Sequence, residues 1–176
     1  MNSRTVTITK TIIAALLFLS VIFTASDIYA ATVRLNKGTP VKLKFDTATK
    51  ISSGILVEGD SLDIILVEPI IVDDAIIVEA GAKGKAAVAE VKKNGRAGKP
   101  GFIKVQFVSI EAKGAFQTEG GVPIMLSGDI EKNGKGKKTL SYLFIFGLFI
   151  KGSNGEIDKN ITYTAETAET LKMISE

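Results

Sequence analysis

The stretch Val41-Lys42-Leu43-Lys44-Phe45 decides the fold class, because apolar and basic side chains alternate along it without a break. Successive side chains of a β-strand point to opposite faces, so this pattern places three apolar residues in a core and two lysines in water. The same alternation recurs at 103–107, 122–126 and 161–165. Apolar residues at helical spacing are scarce. The sequence therefore predicts a mainly β protein.

Turn signals separate the predicted strands. Asn-Gly most readily supplies the positive φ angles of a type I′ hairpin turn, and it occurs at Asn94-Gly95, Asn133-Gly134 and Asn154-Gly155. Two denser apolar runs, 62–67 and 70–78, are predicted as strands with both faces at least partly covered. Many short strands with frequent turns are typical of a single small antiparallel β-barrel or sandwich, and the alternation is the same in both.

Residues 1–30 have the three-part layout of a secretory signal peptide. A basic start precedes an apolar run over 12–23, and a polar stretch ends at Ala30. The apolar run is shorter than the roughly 20 residues of a membrane-spanning helix. Cleavage between Ala30 and Ala31 is the prediction, and an uncleaved anchor is the alternative.

The rest of the chain is predicted to form one β domain over 31–165 and a tail or short helix over 166–176, with Thr164 as a possible cap. The chain has no Cys and no His, which excludes disulfides, thiolate zinc sites and His-dependent catalysis. Exported eukaryotic domains commonly use disulfides. These observations favour a bacterial protein of the periplasm or the outer-membrane periphery.

The charges are segregated, although the formal net charge is only +3. Residues 55–81 contain acids and no base, whereas 82–104 is basic apart from Glu90, and a second basic cluster occupies 132–138. Four basic residues are candidates for contacting an anionic partner, and they are Lys92, Lys93, Arg96 and Lys99. Alternatively, these charges keep strands soluble. Nucleic acid is not expected, because export removes it and the basic segments lack stacking aromatics.

Residues 140–150 read Leu-Ser-Tyr-Leu-Phe-Ile-Phe-Gly-Leu-Phe-Ile, and lysines bracket them. As a helix, this segment would cover only about half of the roughly 30 Å hydrocarbon core. It is predicted either as a buried central strand with a glycine kink or as an exposed apolar hairpin that contacts a membrane or a sister subunit. The contact residues of the second hypothesis are Phe144, Phe146 and Phe149.

No motif indicates catalysis. Ser-x-x-Lys, Gly-x-Ser-x-Gly and the phosphate-loop pattern do not occur in the sequence, and no acidic loop has the spacing of a calcium site. We therefore expect no cofactor, no metal and no enzymatic activity. The alternative is a carboxylate-dependent envelope hydrolase that uses Asp60, Asp63 or Asp73.

Short motifs along the chain resemble a group of uncharacterised exported bacterial β-barrel-like proteins. They are Val33-Arg34-Leu35, Lys37-Gly38-Thr39-Pro40-Val41, Ser52-Ser53, Gly59-Asp60, Glu68-Pro69-Ile70-Ile71-Val72, Ile76-Ile77-Val78-Glu79-Ala80-Gly81 and Gly84. This resemblance covers most of the chain after residue 30 and implies an exported β fold without an assigned activity.

The middle portion, continuing through Arg96, Gly98, Gly101 and 103–110, is distantly similar to the periplasmic barrel of the type IV secretion core-complex scaffold family. In that family the barrel oligomerises and an inserted apolar hairpin meets the outer membrane. Here 140–150 follows the matching strands and is far shorter than that hairpin. Together, the observations predict an exported, non-enzymatic envelope scaffold or binding module. Its partner would be an envelope protein, a sister subunit or a membrane surface.

Overall fold

The computed structural model describes residues 31–136 and 151–175. These residues contain β-strands joined by short turns, with one 3-10 turn at Glu119–Gly121. The strands are β1 (Thr32–Leu35), β2 (Pro40–Phe45), β3 (Ile51–Ser52), β4 (Ser61–Leu66), β5 (Ile70–Val72), β6 (Ala75–Val78), β7 (Lys83–Lys92), β8 (Phe102–Ile110), β9 (Phe116–Thr118), β10 (Ile124–Ser127), β11 (Asp129–Asn133), β12 (Glu156–Ile157), β13 (Tyr163–Thr167) and β14 (Leu171–Ser175). The mainly β prediction is confirmed.

Six strands close into an antiparallel β-barrel in the order β10-β13-β2-β4-β7-β8 and back to β10. The long strand β8 makes the closure possible. Its first half pairs with β11, and its end pairs with β10 through Ile110 opposite Ile124 and Ser109 opposite Met125. The sequence left barrel and sandwich open, and the structure is a barrel.

The barrel interior is filled by the apolar residues of the alternating strands. On β2, Val41, Leu43 and Phe45 are buried, as the alternation predicts. The Phe45 ring lies 6.1 Å from the stacked ring of Phe107 and 5.6 Å from the edge-on ring of Tyr163. Such aromatic pairs add stability beyond the area that they bury. The side chains of the described strands therefore fill the interior as a packed core, as in other small barrels.

The prediction of a tail or short helix at 166–176 is wrong. Strand β13 extends to Thr167, beyond the predicted boundary at 165. Strand β14 then lies between β1 and β9 in a separate three-stranded sheet. Met173 is fully buried there, while Lys172 is exposed. Burial of one face outweighs the weak helix propensity of this segment, because propensity differences per residue are only a fraction of the energy of packing.

The three Asn-Gly dipeptides are not type I′ turns, because none of their six residues has a positive φ angle. The positive angles of such turns occur instead at Asp73-Asp74, with φ of 49° and 63°, and at Ala97-Gly98, with φ of 54° and 69°. Gly134 and Gly155 instead allow two backbones to approach closely at one end of the barrel.

Residues 70–78 form a hairpin of β5 and β6 with Asp73-Asp74 as its two-residue loop. The prediction that both faces of this run are at least partly covered fails at Ile71 and Ile76, whose side chains are exposed on the outer face. Among the described residues, no helix has the length and apolarity to cross a membrane.

Candidate interaction surface at one end of the barrel

The predicted basic residues lie on the loop between β7 and β8, at one end of the barrel. The loop reverses at Ala97-Gly98, where the Lys99 N–H donates to the Arg96 carbonyl oxygen at 3.3 Å and the Gly95 N–H donates to the Lys99 carbonyl oxygen at 3.0 Å. This turn leaves all four candidate side chains exposed, namely Lys92, Lys93, Arg96 and Lys99. Their role in binding stays a prediction.

Two further segments pack against this loop. The Gly134 N–H donates to the Gly101 carbonyl oxygen at 2.7 Å, the Gly101 N–H donates to the Ser153 carbonyl oxygen at 2.9 Å, and the Ser153 N–H donates to the Lys135 carbonyl oxygen at 3.1 Å. The backbones of three segments that are distant in sequence are therefore joined directly by hydrogen bonds. We call the surface formed by 92–101, 132–136 and 151–155 the basic end.

Glycine is required at the basic end because the backbones approach so closely. A Cβ atom at Gly134 would overlap the Ser153 carbonyl oxygen, and one at Gly155 would overlap the Lys132 carbonyl oxygen. A Cβ atom at Gly152 would overlap the Lys99 carbonyl oxygen. Two of the three Asn-Gly glycines, Gly134 and Gly155, are thus explained by close packing, which is the other common reason for glycine. The Asn-Gly dipeptides mark these positions in the sequence, where they predict turns.

The electrostatics of the basic end are dominated by unpaired bases. Lys92 Nζ lies 2.5 Å from Glu90 Oε1 and 5.6 Å from the centre of the Phe102 ring. The hydrogen bond and the charge of Glu90 raise the pKa of Lys92. Among residues 31–136 and 151–175, the other bases of this end are exposed and take part in no ion pair, and they are Lys93, Arg96, Lys99, Lys132, Lys135 and Lys151.

Acidic groups border the basic end without neutralising it. Glu58 Oε1 accepts a hydrogen bond from the Val91 N–H at 3.2 Å, and Glu156 Oε1 pairs with Lys50 Nζ at 2.8 Å. Both carboxylates therefore already bind other groups of the protein at the border of the basic end. Since lysine and arginine stay protonated at neutral pH, the basic end presents an excess of positive charge to an anionic partner.

The basic end also carries both described flanks of the apolar segment 140–150. A Cβ atom at Gly136 would lie 3.7 Å from the Gly98 carbonyl oxygen. On the other side, Lys151 precedes Gly152, whose N–H donates to the Gly95 carbonyl oxygen at 3.2 Å. The candidate contact residues Phe144, Phe146 and Phe149 lie outside the described residues, as do residues 1–30. The predictions for these residues are untested.

The acids of the hydrolase hypothesis occupy different places. Asp60 accepts a hydrogen bond from the Val57 N–H at 2.8 Å within a turn, and Asp73 lies at the tip of the β5–β6 hairpin. Asp63 lies in a cleft of about 420 Å³ on the outer face of the barrel, beside Asp46 and Glu111. The structure does not bring the three predicted carboxylates together.

The cleft around Asp63 contains acids and bases together. Lys85 Nζ lies 2.6 Å from Asp63 Oδ1, and this hydrogen bond with the Asp63 charge raises the pKa of Lys85. Gly84 lies in the floor of the cleft, where a Cβ atom would overlap the Ser109 carbonyl oxygen. Within the described part of the chain, no group of three or more acidic side chains is arranged to hold a metal ion. The arrangement is an exposed ion pair in a shallow groove.

Compared with known proteins, the chain matches no protein-family model, no curated protein and no solved structure. The two resemblances drawn from sequence motifs therefore stay predictions.

Proposed function

We propose that this protein is an exported, non-enzymatic scaffold or binding module of the bacterial cell envelope, and that the basic end is its binding surface for an anionic partner. The observation that carries the proposal is the convergence of two basic segments on one end, held by hydrogen bonds between backbones. A rigid surface loses little conformational entropy on binding, so its charges are already placed for a partner.

The position of Ala31 supports export with cleavage before this residue. The compact unit that contains the described residues begins at Ala31. The Ala31 N–H donates to Ser175 Oγ at 2.7 Å, and the Ser175 N–H donates to the Ala31 carbonyl oxygen at 2.9 Å. A chain cleaved after Ala30 would keep every strand of the fold. Amino-terminal sequencing of protein from the periplasmic fraction should begin at Ala31, whereas a start at Met1 would contradict cleavage.

Cell fractionation combined with chemical crosslinking tests the binding function. We expect the wild-type protein to crosslink to an envelope component and R96E/K99E to lose most of this product, because charge reversal replaces attraction by repulsion. The matched control is R34E/K37E, which reverses one exposed arginine and one exposed lysine outside the basic end. A wild-type protein that stays a soluble monomer without crosslinks would contradict the proposal, as would equal loss in both variants.

A second candidate function is association with a membrane through residues 140–150. The observation in its favour is that Gly136 and Lys151, which flank the segment, both belong to the basic end. A basic surface beside an apolar segment is the combination that anchors proteins to anionic lipid. Flotation with phosphatidylethanolamine vesicles, with and without phosphatidylglycerol, tests it. We expect binding only with phosphatidylglycerol, and no binding to either vesicle would contradict it.

A further inference from the structure

The β5–β6 hairpin has a buried inner face and an outer face that exposes two isoleucines. Its inner face is buried through Ile70, Ile77 and Val78. On its outer face Ile71 and Ile76 are directly opposite each other across the two strands, and their side chains are 56% and 51% exposed. A solvated hairpin face normally carries polar residues. Paired isoleucines in this position are typical of a surface that another molecule covers.

The tip of the hairpin is acidic. Asp73 and Asp74 both have positive φ angles, a conformation for which Asn-Gly or Gly-Gly is the most favourable choice. Aspartate tolerates it less well than glycine, so the chain keeps two carboxylates where a neutral turn would fit better. In the described chain neither carboxylate forms an ion pair. The hairpin therefore combines an apolar pair with two uncompensated negative charges.

The basic end has the complementary combination. Arg96 and Lys99 flank its tight turn. The neighbouring turn 53–59 exposes Ile55 by 56% and Val57 by 53%. This turn is continuous with the basic end, because the Ser53 N–H donates to the Gly155 carbonyl oxygen at 2.9 Å and Ser53 Oγ accepts from the Gly155 N–H at 3.0 Å.

The two surfaces lie at opposite ends of the barrel. The hairpin connects the end of β4 to the start of β7, whereas the basic end begins where β7 finishes. The hairpin of one molecule therefore cannot contact the basic end of the same molecule, but it can contact the basic end of a second molecule.

We propose that the β5–β6 hairpin is a docking element for a second copy of this chain, which receives it on the basic end. Isoleucines would meet the exposed Ile55 and Val57, and Asp73 and Asp74 would face Arg96 and Lys99. Because the two patches differ, the contact is head to tail and can repeat as a ring or a filament. This inference rests on the proposed function in one respect, namely that the basic end binds an anionic partner, and it names that partner.

Sedimentation velocity of the protein purified from the periplasmic fraction, over a range of concentrations, is the test. We expect wild-type protein to associate reversibly and the association to weaken as ionic strength rises from about 0.05 to about 0.5 M, because screening shortens the reach of the charges. The variants D73K/D74K and R96E/K99E should each associate at least about tenfold more weakly. A mixture of the two should associate again, because the unaltered hairpin of R96E/K99E meets the unaltered basic end of D73K/D74K, and the basic hairpin of the second variant meets the acidic end of the first.

The controls separate docking from general effects of charge and hydrophobicity. E166K/E169K makes the same change of net charge as D73K/D74K, at exposed positions on β13 and directly after it, and it should associate like wild type. I71S/I76S should lose association, whereas I161S, at another exposed isoleucine, should keep it. Circular dichroism checks that every variant keeps the β fold. A monomeric wild-type protein, or a mixture that fails to associate, would overturn the inference.

The outcomes also distinguish this inference from the proposed function. If wild-type protein is monomeric but R96E/K99E still loses its envelope crosslinks, the basic end binds another partner and only the inference fails. If association and its reciprocal rescue occur without any other envelope crosslink, the second copy is the partner. Binding to phosphatidylglycerol vesicles that D73K/D74K leaves unchanged, with no association of wild type, would assign the basic end to the membrane and overturn docking.

Discussion

The substitution Gly152→Ala tests the packing that assembles the basic end. A Cβ atom at this position would overlap the Lys99 carbonyl oxygen, and the Lys99 carbon and the Pro100 nitrogen lie close behind it. All three are backbone atoms, so no side-chain rotation relieves the contact. Residue 152 must move away from the loop, and two hydrogen bonds depend on its position. Its N–H donates to the Gly95 carbonyl oxygen, and its carbonyl oxygen accepts from Asn94 Nδ2 at 2.5 Å.

The expected loss follows from these contacts. Overpacking by a methyl group costs about 1–3 kcal/mol, and each weakened hydrogen bond costs about 0.5–1.5 kcal/mol. Alanine in place of glycine also raises the free energy of unfolding by about 0.4–1 kcal/mol, because it restricts the conformations of the unfolded chain. Gly152→Ala should therefore lower the free energy of unfolding by about 1–6 kcal/mol, with a central value of about 3 kcal/mol. Gly136→Ala is the matched control, because its Cβ atom would make only ordinary contacts, at 3.7 and 3.8 Å.

Urea unfolding followed by circular dichroism measures the difference. With a slope of about 2 kcal/mol per molar urea, a loss of about 3 kcal/mol in Gly152→Ala should lower the midpoint by roughly 1.5 M. Gly136→Ala should match or slightly exceed the stability of wild type. Equal midpoints for the two variants would refute the close backbone packing of the basic end.

Three further predictions concern the core, the apolar segment and alkaline pH. Phe107→Ala should cost about 3–5 kcal/mol in urea unfolding, because Phe107 is only 2% exposed; a loss below 1 kcal/mol would contradict the packed interior. Phe146→Ser with Phe149→Ser should abolish vesicle binding and leave circular dichroism unchanged if 140–150 contacts a membrane, whereas unfolding would show that these residues belong to the core. Burial raises the pKa of Tyr163, and the Asp63 hydrogen bond raises that of Lys85. Both groups therefore release their protons more readily from the unfolded chain than from the folded protein. Their contribution to stability is complete below pH of about 10 and falls as pH rises through the folded pKa values. A thermal unfolding temperature that is insensitive to pH from about 9 to 11.5 would contradict this direction.

The alternation of single strands could be predicted from the sequence because it depends on neighbouring residues. On β2, the burial of Val41 and Leu43 follows directly from the period of two. Strand β14 could not be predicted in the same way. It is stabilised by β1, with Thr32 opposite Ile174, and residues so distant in sequence leave no local signal of their pairing.

The candidate surface could be predicted only in part. The local charge pattern predicts that Lys93 and Arg96 belong to a basic surface, and both side chains are exposed. The glycine packing at Gly134 and Gly155 was missed, because Asn-Gly is compatible with a turn and with a close backbone approach alike. Only the tertiary structure decides between these two uses. The exposure of Ile71 was missed for a related reason, since an apolar run does not show which of its faces is covered.

Photocrosslinking in living cells tests the role of the basic end most directly. A photoactivatable side chain replaces Arg96 in one variant and Thr164, an exposed residue on the side of the barrel, in another. We predict a discrete crosslinked product from position 96 and none from position 164, and the product should diminish when Lys93 and Lys99 are also reversed to Glu. No product from position 96, or the same products from both positions, would contradict the assignment of the basic end as the binding surface.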